Sequence, residues 1–244
     1  MRNIKITYRY DGTNFWGFQR QDSGRTVQEE IEKVLKYFTG EEINLVSSGR
    51  TDRGVHAIKQ VSNFKTNSKI PAENFKYIMN RKLPSDIFII NSEEEEERFH
   101  ARHSAKSRSY VYYLKEYENY NIFDRNYNYY YKGKLDEKKI QEILNPLIGI
   151  HNFESFRMTD CGSEHAIRDL SEIKVIREGE RVAIYIKATA FVKSMVRIII
   201  GSMINVYKGN RDSDYIINKL KNPNPLDEKL VAPANGLFLY DIEY

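Results

Sequence analysis

Hydrophobic and polar residues alternate cleanly over residues 3–10, with Ile4, Ile6, Tyr8 and Tyr10 on one face and Lys5, Thr7 and Arg9 on the other. A period of two predicts a half-buried strand. Over residues 26–39 the period lengthens to that of a helix, with Val27, Ile31, Val34, Leu35 and Phe38 on the apolar stripe. Thr26 and Glu29 have capping-box spacing, and Gly40 is a natural stop. An apolar run at 43–46 and a strand-like segment at 60–65 flank a polar stretch. Pro71 opens a second helix that Pro84 closes, with Phe75, Ile78 and Met79 facing inward, and residues 86–91 form a short apolar strand. The order strand, helix, strand, strand, helix, strand predicts a ferredoxin-like α/β half.

The glutamates at 93–97 read as a solvated face and a boundary. Beyond them, residues 136–147 carry a helical pattern closed by Gly149. Residues 167–176 and 181–189 form a hairpin turned by Glu178, Gly179 and Glu180. Residues 191–207 are a strongly apolar helix, and the tail gives a final strand. The pattern suggests a second half related to the first, dividing the chain into residues 1–104 and 105–244.

No apolar run approaches the roughly 20 residues of a membrane span, and the N-terminus lacks the apolar centre of a signal peptide. The single cysteine, Cys161, excludes an intrachain disulfide and fits a reducing, cytoplasmic setting. The net charge of +4 says less than its distribution. Residues 98–115 hold five Lys or Arg and no acid, and residues 187–211 hold five more, again without an acid. Such clusters mark a phosphate-binding face, unless acids from elsewhere, such as those at 93–97, fold against them. Nine of the 18 tyrosines fall between Tyr110 and Tyr131, more than core filling requires. Residues 127–131 fit a strand, a dimer contact or an RNA face.

The candidate chemistry sits at residues 47–57, S-S-G-R-T-D-R-G-V-H-A. Asp52 stands between Arg50 and Arg53, which favour its ionised form, and Gly49 and Gly54 permit close backbone approach. A charged carboxylate there suits a nucleophile or general base. The same letters fit a solvated turn in which Asp52 bonds its own backbone. Ahead of it, Y-D-G-T-N-F-W-G-F-Q is a loop whose rings can meet a base or plug a core edge. Residues 98–113 interleave cations with aromatics, the composition of a surface for unpaired RNA, and equally a strand with Tyr110 and Tyr112 on one face. Arg197, within the apolar helix, calls for an anion or a rim position. No phosphate-cradling loop or zinc-ligand spacing occurs.

These stretches resemble the tRNA pseudouridine synthase A family. G-R-T-D-x-G-V-H-A, Y-D-G-T-x-[FY]-x-G-[WF]-Q, F-H-A-R, G-x-H-D-F-x-S-F, M-V-R-x-x-x-G and A-P-x-x-G-L match in order from Tyr10 to the C-terminus. Asn152 stands where Asp is commoner, His103 where an apolar or aromatic residue is usual, and Arg53 where alanine is. The resemblance implies a mixed, largely antiparallel sheet of two ferredoxin-like halves, with helices on one side and a central basic RNA-binding cleft. It implies pseudouridine formation at positions 38–40 of the tRNA anticodon stem-loop, by a homodimer needing no metal or nucleotide cofactor. Asp52 would be catalytic, by attack on the sugar or by proton removal. Arg50 would fill the space of the extruded base, Tyr110 would cover that base, and Arg197 would hold Asp52 charged. Arg53, a departure from the family pattern, either contacts a substrate phosphate or points to solvent and tunes the local field. Two other readings use the same residues. One is a non-catalytic RNA-binding protein. The other is an N-glycoside hydrolase, for which a second carboxylate about 5 Å away is wanted.

Overall fold

The computed structural model describes residues 1–244. In chain order the first elements are β1 (Arg2–Tyr10), α1 (Val27–Thr39), β2 (Val46–Ser47), β3 (His56–Thr66), α2 (Phe75–Asn80) and β4 (Ile87–Glu95). They are followed by β5 (Ser107–Glu116), β6 (Tyr129–Tyr131), α3 (Glu137–Leu144), β7 (Gly149–Asn152), β8 (Ile167–Glu178) and β9 (Arg181–Ala188). The chain closes with α4 (Met195–Tyr207), α5 (Tyr215–Lys221) and β10 (Leu237–Glu243). It is a mixed α/β protein whose strand pairs are mostly antiparallel, as the family resemblance implies.

Two compact units result: Met1–Lys106 with Phe238–Tyr244, and Ser107–Leu237. The tail, assigned by sequence to the second half, clusters with the first unit because Phe238 and Leu239 pair in parallel with His56 and Ala57.

In the first unit β1 pairs antiparallel with both β3 and β4, and β2 lies on β3's other edge. That is the strand order expected of a ferredoxin-like half. Ile4, Ile6 and Tyr8 are fully buried, and the Phe64 ring of β3 meets Phe75 of α2 edge-on at 5.4 Å. Helix α1 starts and stops where its caps dictate. The Thr26 side chain accepts from Glu29 N–H, and Gly40 ends the helix at φ 73. On the opposite face Asn63 donates to Asn3 Oδ1 at 2.8 Å and accepts from Ala101 N–H at 2.8 Å, so a buried amide pair holds the 99–101 segment. The glutamate run is largely solvated, as expected, but the boundary between the units falls later, at Lys106. Glu93, Glu94 and Glu95 end β4, where Lys5 pairs with Glu93 and Glu95 and Arg2 with Glu94.

In the second unit β5, β9, β8 and β7 pair antiparallel in that order, and β6 runs parallel to β5. The tyrosines at 129–131 are therefore strand, with Tyr131 buried. Helix α4 starts at Met195 rather than at residue 191, because Ser194 takes the left-handed conformation at φ 57. A non-glycine residue there costs about 1 kcal/mol and is worth holding only when neighbours fix it.

Candidate active site

The Asp52 loop is tied to the strand that follows it and to the aromatic loop ahead of it. Ser48 Oγ donates to Gln60 Oε1 at 2.6 Å, and Gln60 Nε2 donates to the Gly49 carbonyl at 3.0 Å, tying the loop's start to β3. Thr51 is buried; its hydroxyl bonds that of Tyr10 at 2.8 Å, and its carbonyl accepts from Phe18 N–H at 3.1 Å. Val55 N–H donates to the Asp52 carbonyl at 3.1 Å, closing a tight turn through Gly54 at φ 77. Asp52 is left half-buried between exposed Arg50 and Arg53.

The preceding aromatic loop packs against this turn. A Cβ on Gly12 would lie 2.0 Å from the Val55 carbonyl oxygen, so only glycine permits the contact. Gly12 N–H donates to His56 Nδ1 at 3.0 Å, and the buried His56 ring stacks on Phe238 at 4.5 Å. Phe15 and Phe18 plug the core as expected, whereas the Trp16 indole is 42% exposed. Sequence reading passed over both His56 and Trp16. The histidine was only a letter of a motif, and its partners come from elements far apart in the chain.

The second unit carries Tyr110 and Arg197. Tyr110, on β5, is 8% exposed and meets Phe191 edge-on at 5.0 Å. Arg197 is half-buried; its Nε donates to the Ala232 carbonyl at 2.9 Å, and its own carbonyl accepts from Ala232 N–H at 2.9 Å. Helix α4 comes this near because residue 201 is glycine: a Cβ there would lie 1.9 Å from the Leu230 oxygen. Asn152 makes the bond an aspartate would, accepting from Glu154 N–H at 3.1 Å. His103 sits against His100, ring centres 4.3 Å apart.

Several cations of the two basic runs are neutralised. Lys115 is buried against Asp124 and Glu180, Arg211 pairs with Glu228, and Lys193 pairs with Asp160. Arg50 and Arg53 form no ion pair or hydrogen bond within the chain.

Comparison with known proteins agrees with these motifs. A family model described as tRNA pseudouridine synthase matches residues 6–104 and 143–244. The chain is 39% identical to tRNA pseudouridine synthase A 2 of Clostridium perfringens, with both chains covered in full. It is 38% identical to tRNA pseudouridine synthase A of Thermoanaerobacter sp. strain X514 and 39% identical to that of Caldicellulosiruptor bescii, again over all of each chain. Among solved structures, one titled as an H/ACA RNP bound to a substrate RNA containing 2'-deoxyuridine matches with a TM-score of 0.32 and 14% identity. It covers 81% of this chain and 51% of that one, a likeness too slight to bear on fold or function. The matched span 6–104 includes the Asp52 loop and its aromatic neighbour, and with identity running over the full length the chain belongs to the tRNA pseudouridine synthase family.

Proposed function

We propose that this isomerase converts uridine to pseudouridine at positions 38–40 of the tRNA anticodon stem-loop, with Asp52 as its nucleophile or base. One observation carries the reading: Asp52 is half-exposed on a turn whose backbone is bonded by Phe18 and Val55 and whose Thr51 hydroxyl is bonded by Tyr10. A carboxylate on a rigid support keeps its aim while the bound base is broken from its sugar, rotated and rejoined through carbon. Attack on the anomeric carbon and abstraction of the neighbouring proton both require that placement.

The target base must leave the stack before it can react. Arg50, exposed beside Asp52, takes the vacated space, and Tyr110 lies against the base. The family pattern assigns Arg197 as counter-charge to Asp52. Arg53 takes a substrate phosphate. A homodimer in the cytoplasm completes the reading, on the family resemblance and the single cysteine.

Incubating unmodified tRNA with the protein should give pseudouridine, neither free uracil nor binding alone. Asp52→Asn should abolish the product while tRNA affinity stays within a few fold, since affinity rests mainly on phosphates. Residual turnover above about a hundredth of wild type would remove Asp52 from the catalytic role.

A further inference from the structure

The Arg53 guanidinium does not lie loose in solvent. Its central carbon stands 4.0 Å from the centre of the Trp16 ring, a cation–π stack. The backbone that carries the indole is held, by the two main-chain bonds of Trp16. Trp16 N–H donates to the Arg25 carbonyl at 2.9 Å, and the Trp16 carbonyl accepts from Gln21 Nε2 at 2.6 Å. Gly24 packs against the same indole so closely that a Cβ there would lie 2.6 Å from its Cγ and Cδ1. Arg25, which supplies that carbonyl, is anchored in turn by two bonds to Asp86, at 2.7 and 2.9 Å, and by stacking on Phe15.

A cation–π contact of this kind uses none of the guanidinium's N–H donors for a hydrogen bond. Arg53 spends none of those donors within the chain. A planar fork held on an aromatic support is matched to the paired oxygens of a phosphate, and less freedom is lost on binding than by a free side chain. Both partners occupy positions that the two family patterns leave open: Trp16 is the variable letter before Gly17, and Arg53 the variable letter after Asp52. The stack is therefore an addition to the shared motifs.

We propose that Trp16, Gly24 and Arg53 form a platform that binds one phosphate of the substrate RNA beside the Asp52 loop, with Trp16 as the residue that positions Arg53. The inference rests on the RNA substrate of the proposed function and names a contact that the shared motifs do not contain. Trp16 is also the chain's one tryptophan, so its emission reports on the platform without a label.

The test uses the full-length Asp52→Asn protein with unmodified tRNA, following Trp16 emission and filter binding over a range of salt. Binding should change the emission along the same curve that filter binding gives. Arg53→Ala should weaken binding several-fold and lower the slope of log Kd against log salt by about 1. Trp16→Leu should weaken binding in the presence of Arg53 and add nothing once Arg53→Ala is made, and Trp16→Phe should restore most of the loss. That non-additivity would not come from a merely structural role. If Trp16→Leu fails to fold, the Arg53→Ala slope and the Trp16→Phe cycle decide the matter alone. An unchanged slope in Arg53→Ala, additive losses, or emission indifferent to bound tRNA overturns the platform. Should the platform behave as expected while the wild-type protein forms no pseudouridine, the proposed activity falls and the platform stands.

Discussion

His56 Nδ1 lies 3.0 Å from the Gly12 N–H that donates to it and 3.1 Å from Asp11 Oδ1. One buried ring thus joins the first residues of β3 to the loop that leaves β1. The Asp11 oxygen is also taken up by Thr13, whose N–H and hydroxyl both donate to it, so the loop closes on itself around that carboxylate. His56→Phe keeps an aromatic ring for the stack on Phe238 and strips Gly12 of its acceptor. Stability should fall by about 1–3 kcal/mol, the cost of a buried unpaired donor. A urea titration with unchanged midpoint would show that this bond holds nothing.

Gly201→Ala puts a methyl group where the Leu230 carbonyl oxygen stands. The helix and the 230–232 segment must separate, and the two bonds between Arg197 and Ala232 separate with them. The expected loss is about 3 kcal/mol, in the range of overpacked cores, measured as a lowered unfolding midpoint. A crystal structure of the variant with both Arg197 bonds intact would contradict this account.

Glu116, buried at the end of β5, accepts from Leu135 N–H at 2.9 Å, and Lys134 and Arg177 lie beside it. The backbone bond first, and the cations after it, hold its carboxyl below the usual range. The bonded Arg177 does the same for Glu137. Groups depressed on folding stabilise the protein fully above their unfolded pKa, about 4.3 for Glu, and lose that contribution as pH falls through the lower folded value. Stability should therefore decline as pH drops from about 5 toward 3, and Glu116→Gln should flatten the decline and cost about 1 kcal/mol at neutral pH. A midpoint-against-pH curve as steep in the variant as in the wild type would assign the decline elsewhere.

Arg197→Met removes the cation that the family pattern sets against Asp52. Unfolding midpoints of Arg197→Met, Asp52→Asn and the double variant form a cycle. A coupling of about 1–3 kcal/mol is expected for a part-buried, charge-assisted pair. Additive effects would show that Arg197 serves Ala232 and the tail segment alone.

The parts of this fold legible in the sequence are those set by neighbouring residues. The capping threonine and Gly40 bounded α1 correctly, and Gly179, at φ 62, turns the β8–β9 hairpin where the letters predict. The parts that were not legible depend on contacts between residues far apart. The apolar run at 43–46 became only the short strand Val46–Ser47, since Ile43 and Leu45 are buried without joining the ladder. The apolar pattern begins at residue 191 and α4 at Met195, because composition does not reveal the left-handed φ of Ser194. At the candidate site the motif letters located Asp52, Arg50 and Arg53 on one loop. The stack of Arg53 on Trp16 joins two residues 37 positions apart, neither of which any local period singles out.

The pairing of Phe238 with His56 also sets an order of assembly. At about 5–20 residues per second, the ribosome takes roughly 10–40 s to travel from His56 to Phe238. Through that interval the first residues of β3, next to the Asp52 turn, await their parallel neighbour. An unpaired strand edge is a place for wrong partners. A chain broken off before residue 238 would retain every letter of the Asp52 motif and lack the ring that stacks on His56. A chain lacking residues 238–244 is therefore expected to be more open to aggregation and proteolysis than one that carries them.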